Sequence, residues 1–254
     1  RVGFLSAKID QMTYMMDFDL PTRSGRVVVN TSLIAGAAVR ECVDEICKVF
    51  ADGYAMGNRV CLLKPGEEIG DLVIPEDTVG FCTVCSITLN GVLLKHGIPT
   101  RSRFGGLLQL RNGKPERFVE IIEYDGTSID PLEIFIRSGM TDYLGAIRTG
   151  SGRIGASFRE IPSGSRDLVA ILAERLAEIG LGAFMEIGQG GEEVLDIPVT
   201  EGRAGAVVVG GLNPVAVVHE RGLYCKPVAL SGLLEFNRLF HYRDLSDRLA
   251  EMGF

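Results

Sequence analysis

Leu89-Asn90-Gly91-Val92-Leu93-Leu94-Lys95-His96-Gly97 and Leu212-Asn213-Pro214-Val215-Ala216-Val217-Val218-His219-Glu220 are two versions of one phrase. Each places an Asn after an apolar strand-like run, follows it with an apolar helix, and reaches a His near a Gly. Asn is a good N-cap, Pro suits the first helical turn, and Gly closes a helix. The phrases therefore predict equivalent helices starting at Asn90 and Asn213. Neighbouring matches keep the same order at a spacing of about 125 residues. Upstream, Ser24-Gly25-Arg26-Val27 pairs with Ser151-Gly152-Arg153-Ile154, and Glu67-Glu68-Ile69 with Glu192-Glu193-Val194. Downstream, Gly106-Leu107-Leu108 pairs with Gly232-Leu233-Leu234. One such match is weak; four in order imply an internal repeat.

Working outward, each copy reads alike. A strand at 26–32 or 153–160 precedes a long amphipathic helix. Its apolar face is Val39, Val43, Ile46 and Phe50 in the first copy, and Leu168, Leu172, Leu176 and Ile179 in the second. Strands follow at 59–63 and 79–86, or 184–187 and 204–209. After the Asn helix, a strand toward Leu110 or Phe236 closes the copy. The expected class is α/β: an internally duplicated domain of two similar α/β halves, with mixed sheets and helices packed on them. The expected division is an opening segment 1–23 after a missing N-terminal region, a first repeat 24–110, a connector 111–150, a second repeat 151–236 and a C-terminal helix 237–254. In the connector, Asp130-Pro131 opens a short helix.

Composition narrows the function. The net charge is −7, and no dense Lys/Arg run exists to neutralise phosphates, so nucleic-acid binding by this stretch itself is disfavoured. No apolar run is long enough for a membrane span. The six cysteines lack a framework pattern, and without a secretory signal a reducing, cytoplasmic setting is expected. Cys82 and Cys85 form a lone CxxC whose spacing on a strand sends the thiols to opposite faces, so no metal site is expected. Gly188-Gln189-Gly190-Gly191 reads as a plain turn, because the Glu192-Glu193 that follows would repel a phosphate. His96 and His219 occupy equivalent helix ends, which suits a structural role better than catalysis.

The remaining polar residues favour an anion site. Helix starts beyond strand ends offer free N–H groups and partial positive charge. Around the first copy's helix start gather Cys85, Ser86, Thr88, Asn90, Arg101 and Arg103; Thr127 and Ser128 lie in the connector turn, and Ser157 and Arg159 near a strand end. These ten are the candidate ligand-binding residues. The second copy offers fewer polar neighbours, so the ligand is expected on the first. The rival reading is a small cytosolic hydrolase or isomerase with an anion hole and Cys85/His96. Another is a domain that only oligomerises.

The run 89–99, then Phe104-Gly105-Gly106-Leu107, then Glu123-Tyr124-Asp125-Gly126-Thr127-Ser128-Ile129-Asp130-Pro131-Leu132-Glu133-Ile134-Phe135-Ile136, then Ala156-Ser157-Phe158-Arg159-Glu160-Ile161-Pro162, together resemble the regulatory domain of the archaeal nitrogen regulator NrpR family. Arg1-Val2-Gly3-Phe4 is similar to the segment after that family's DNA-binding region. The resemblance implies a non-enzymatic, ligand-sensing domain of a transcriptional repressor of nitrogen-assimilation genes, acting as a homodimer or larger oligomer. It implies 2-oxoglutarate as the effector with no further cofactor, and DNA contact only through an N-terminal winged helix absent from this sequence.

Overall fold

The computed structural model describes residues 3–254. Helix α1 (Leu5–Met15) buries Leu5 and Ile9 and leads into strand β1 (Arg26–Ile34), which is buried from Val27 onward. The expected long helix is broken in two at Cys42, giving α2 (Gly36–Glu41) and α3 (Val43–Ala51). Strand β2 (Arg59–Leu63), a small hairpin of β3 (Glu68–Ile69) and β4 (Leu72–Val73), strand β5 (Val79–Val84), helix α4 (Ile87–Lys95) and strand β6 (Arg101–Arg111) complete the first copy. The connector holds β7 (Lys114–Glu123), α5 (Pro131–Arg137) and α6 (Tyr143–Thr149). Asp130 caps α5 as expected: its carboxylate accepts the Leu132 N–H at 2.8 Å, and Pro131 takes the first turn.

The second copy repeats the order with β8 (Gly152–Pro162), α7 (Arg166–Glu178), β9 (Phe184–Gly190), β10 (Arg203–Val209), α8 (Asn213–Glu220), β11 (Cys225–Lys226) and β12 (Gly232–Glu235). The inward face of α7 is Val169, Leu172 and Leu176; Leu168, expected there, stands 42% exposed. Gly188 and Gly190 belong to β9 rather than to a turn. Strand β13 (Phe240–His241) and helix α9 (Leu245–Glu251) finish the chain, and Leu245 and Leu249 are buried in the core.

The main sheets run β12–β1–β5–β2–β13, with β11 also on β1, and β7–β6–β8–β10–β9. All the pairings are antiparallel, so the sheets are not mixed. The parallel relation survives one step removed: β1 and β2 run the same way with β5 between them, and β8 and β9 do so around β10. This is a split β-α-β arrangement, made twice.

The closing strands are exchanged. Strand β6, the end of the first copy, pairs along β8 of the second from Arg101↔Glu160 to Leu110↔Gly152. Strand β12, the end of the second, pairs with β1 of the first from Arg26↔Glu235 to Val29↔Gly232. The hydrophobic residues follow suit. One core joins Val28 and Val84 of the first sheet to Ala204 and Val208 of the second, beneath α4 and α7. The other joins Phe81 to Phe158 and Val207, beneath α3 and α8. Each half thus buries its apolar surface only in company with the other.

Candidate functional site

Two successive inward residues of β8, Ser157 and Arg159, point to one face of their strand and toward the head of α4. Arg159 is the largest fully buried side chain among the described residues, 1% exposed. Its guanidinium donates to the Ser86 carbonyl at 2.8 Å and to the Ser86 hydroxyl, while its Nε–H has no partner. Among the described residues no carboxylate forms an ion pair with it. Burial pulls its pKa down, against nearby Tyr124 and Cys85, which pull it up. A buried cation without a counter-ion is costly, and a bound anion lowers that cost. The Ser157 hydroxyl, also buried, lies beside the Tyr124 side chain without a well-formed hydrogen bond.

Ser86, Ser157, Asn30, Tyr124 and Asp130 face a niche of about 20 Å³ between the halves, room for one water. Glycines let the walls approach: a Cβ on Gly211 would meet the Val84 carbonyl oxygen at 2.4 Å and Asn30 Nδ2 at 2.5 Å. Burial first, and the neighbouring Glu133 second, push the Asp130 carboxyl up to about 7.

One turn beyond Ser86 on α4, Asn90 donates to the Ser102 hydroxyl at 2.9 Å. Ser102 lies opposite Arg159 in the β6–β8 ladder. Outside this pair opens a cleft of about 300 Å³, walled by α1 and α4 and containing Arg101, Ser102, Asp10 and Asp125. The closed niche and the open cleft are the two ends of one polar seam.

The family of NrpR regulatory domains NRD1 and 2 matches residues 2–241. The chain belongs to the NrpR family. It is 33% identical to the global nitrogen regulator NrpRI of Methanosarcina mazei over 94% of this chain and 73% of that protein. It is 31% identical to the global nitrogen regulator NrpR of Methanococcus maripaludis over 87% of the chain and 38% of the relative. The chain thus spans about three quarters of the first relative and well under half of the second. A crystal structure of a nitrogen repressor-like protein from Methanococcus jannaschii superposes with a TM-score of 0.79 at 25% identity, covering 95% of this chain and all of that one. NrpR relatives are regulators, not enzymes, and no helix among the described residues is long and apolar enough to cross a membrane.

Of the ten candidate ligand-binding residues read from helix starts and Arg positions, the seam assembles six. Cys85, Ser86 and Ser157 line the niche, Arg159 is held behind it by its bonds to Ser86, and Asn90 and Arg101 line the cleft. The other four are committed elsewhere. Thr88 is a buried strap: its hydroxyl accepts the Val28 N–H at 3.0 Å and donates to the Val28 carbonyl. Arg103 donates to the buried Glu160 at 3.1 Å and to the Pro198 carbonyl at 2.6 Å. The Thr127 hydroxyl folds its own turn with Ile129, and Ser128 is exposed in that turn. Asn30, Tyr124, Ser102, Asp10 and Asp125 were not anticipated. The one signal for them was Asn30, a polar residue interrupting an apolar strand.

Neither repeated Asn begins a helix as a cap. Helix α4 starts three residues before Asn90, because Ser86 turns the chain earlier. Asn213 opens α8 but faces inward. Its amide donates to the Tyr54 and Gly155 carbonyls, both at 2.8 Å, and its oxygen accepts the Tyr143 hydroxyl. Tyr143 in turn accepts the Gly155 N–H at 2.6 Å. Every polar atom of the Asn213 side chain is therefore occupied, whereas Asn90 keeps a buried, unpartnered Oδ1. The Cys85/His96 pairing of the enzyme reading fails on geometry and acidity. The two residues sit at opposite ends of α4, and burial pushes the Cys85 thiol up to about 12, away from the reactive thiolate.

Proposed function

We propose that this chain is the effector-sensing part of a transcriptional repressor of nitrogen-assimilation genes, and that 2-oxoglutarate is its effector. Arg159 carries the reading: a buried, uncompensated guanidinium with a free N–H, next to the unpartnered Ser157 hydroxyl. One carboxylate of the diacid takes the place of the missing counter-ion, as a charge-assisted acceptor for Arg159 and Ser157. A five-carbon diacid exceeds the niche, so it enters only by parting α4 from β8. Because β6 and β8 tie the copies together, that movement shifts one half against the other. An effector acts by favouring the open arrangement over the closed one. In the parent protein this resets the spacing of winged-helix DNA-binding regions joined through a homodimer or larger assembly.

Calorimetric titration with 2-oxoglutarate is the direct test. Saturable binding is expected, with a rise in melting temperature. No heat and no melting shift at millimolar diacid would sink the proposal.

Asp130 gives the seam a pH dependence. Its folded value of about 7 lies above the 3.8 of a free Asp, so the folded state holds the proton more tightly. Its contribution to stability is therefore fully present below about pH 4 and is lost as pH rises through about 7, by roughly 2–4 kcal/mol in all. Glu133, whose carboxyl burial also raises, acts in the same direction. Asp130→Asn retains the helix cap and should remove most of this slope in urea unfolding measured at pH 5 and pH 8. Binding of the diacid should likewise weaken from pH 6 to 8 in the unsubstituted chain and much less in the variant. A slope unchanged by the substitution would remove Asp130 from the account.

A further inference from the structure

The outer cleft has a different chemistry from the niche. Asp10 of α1, Asp125 before α5 and Arg101 of β6 all line it, and none forms an ion pair or hydrogen bond among the described residues. Asn90, only 3% exposed, and Thr100 also belong to its wall, and the Asn90 amide oxygen and the Thr100 hydroxyl lie buried and unpartnered just behind it, within reach of a ligand once the side chains turn outward. Near neutral pH 2-oxoglutarate has acceptors alone, so it offers nothing to two carboxylates and an amide oxygen. The cleft calls for a ligand that carries several donors. A metal ion does not meet that description, since no group of three His, Cys, Asp or Glu among the described residues is placed to hold one. A simple polyamine leaves Arg101 facing a like charge.

We propose that the cleft between α1 and α4 binds a free α-amino acid as a zwitterion. Asp10, Asp125 and the Asn90 oxygen receive the ammonium group, and Arg101 with the Thr100 hydroxyl receives the carboxylate. Three N–H donors and one planar anion match the donor and acceptor count of these groups. The cleft volume of about 300 Å³ leaves room for a side chain. Five of the lining residues, Ser6, Ile9, Asp10, Thr13 and Tyr14, belong to α1, so occupancy fastens that helix to the body of the domain. The site does not depend on Arg159 and stands or falls separately from the diacid reading.

The test is calorimetry of the full chain with glycine, L-alanine, L-glutamine and L-glutamate, against putrescine and acetate as half-ligands. At least one amino acid should bind saturably, with neither half-ligand doing so. Asp10→Asn combined with Asp125→Asn should weaken that binding by about tenfold or more, as expected for the loss of charge-assisted bonds. Both positions are exposed, so the double variant should melt with the unsubstituted chain and keep its response to 2-oxoglutarate. Failure of all four amino acids to bind would overturn the proposal. So would putrescine binding as tightly, or amino-acid affinity unchanged in the double variant.

Discussion

Arg159→Met is expected to abolish measurable 2-oxoglutarate binding, a loss of about a hundredfold or more, while the melting temperature stays within about 5 °C. The two halves of this result have separate causes. Removing a buried cation that has no counter-ion relieves a desolvation cost, and Met fills similar volume with apolar atoms. Against that gain, the Ser86 carbonyl and hydroxyl lose their donors, at about 1–3 kcal/mol for a buried pair. These nearly cancel. Binding has no such compensation, because the anion loses its only buried positive partner. Arg159→Lys keeps the charge but not the fork, and should recover part of the affinity. Calorimetry together with thermal melts reads both quantities. A variant that unfolds shows Arg159 to be a structural pin. One that folds and still binds the diacid unchanged sends the effector elsewhere.

Asn213→Ala should be the most destabilising single change, by about 3–6 kcal/mol, with a urea midpoint far below that of the unsubstituted chain. The substitution strands the Tyr54 carbonyl and the Tyr143 hydroxyl in a fully buried place and leaves the Gly155 carbonyl with the Gly210 N–H alone. Each lost partner costs about 1–3 kcal/mol, against a total of roughly 5–15 kcal/mol for a domain. Tyr143→Phe should cost less, since it frees one acceptor and the Gly155 N–H alone. Gly155→Ala attacks the same clamp from the other side, because its Cβ would meet Asn213 Oδ1 and Leu132 Cγ, each at 2.8 Å. If Asn213→Ala unfolds at nearly the same urea concentration, the network is ornamental.

Much of the architecture was legible because it is periodic. The repeated strand and helix patterns locate most elements to within a few residues, and Asp130-Pro131 marks the start of α5 correctly. What a single strand's pattern does not encode is its neighbour. Gly106-Leu107-Leu108 and Gly232-Leu233-Leu234 are recognisable as equivalent closing strands, yet nothing local says that each crosses into the other half's sheet. Cap chemistry misled at Asn90 and Asn213. An Asn near a helix start most often faces the backbone, but here both side chains turn into the interior, where tertiary partners outbid local ones. Arg159 was visible as a charge at an apolar strand's end. Thr88 was visible as polar but not as a strap, because its partner Val28 lies 60 residues away. Asp10 passed unnoticed because α1 has so weak an apolar pattern that its inner wall looks like any solvated helix.

The crossing of the closing strands bears on how such a chain is made and inherited. Strand β1 emerges early in synthesis, yet its outer neighbour β12 is among the last segments to appear. The first half leaves the ribosome with an unsealed edge and waits for most of the polypeptide before it is covered, a long-range closure that slows folding. The same dependence acts over generations. Once two tandem copies had traded their ends, neither was complete alone, and an accident that deleted one would leave the survivor with a raw edge. The duplication is thereby hard to reverse, and the two copies treat their buried Asn differently, one with every polar atom bonded and the other with an amide oxygen left unpartnered.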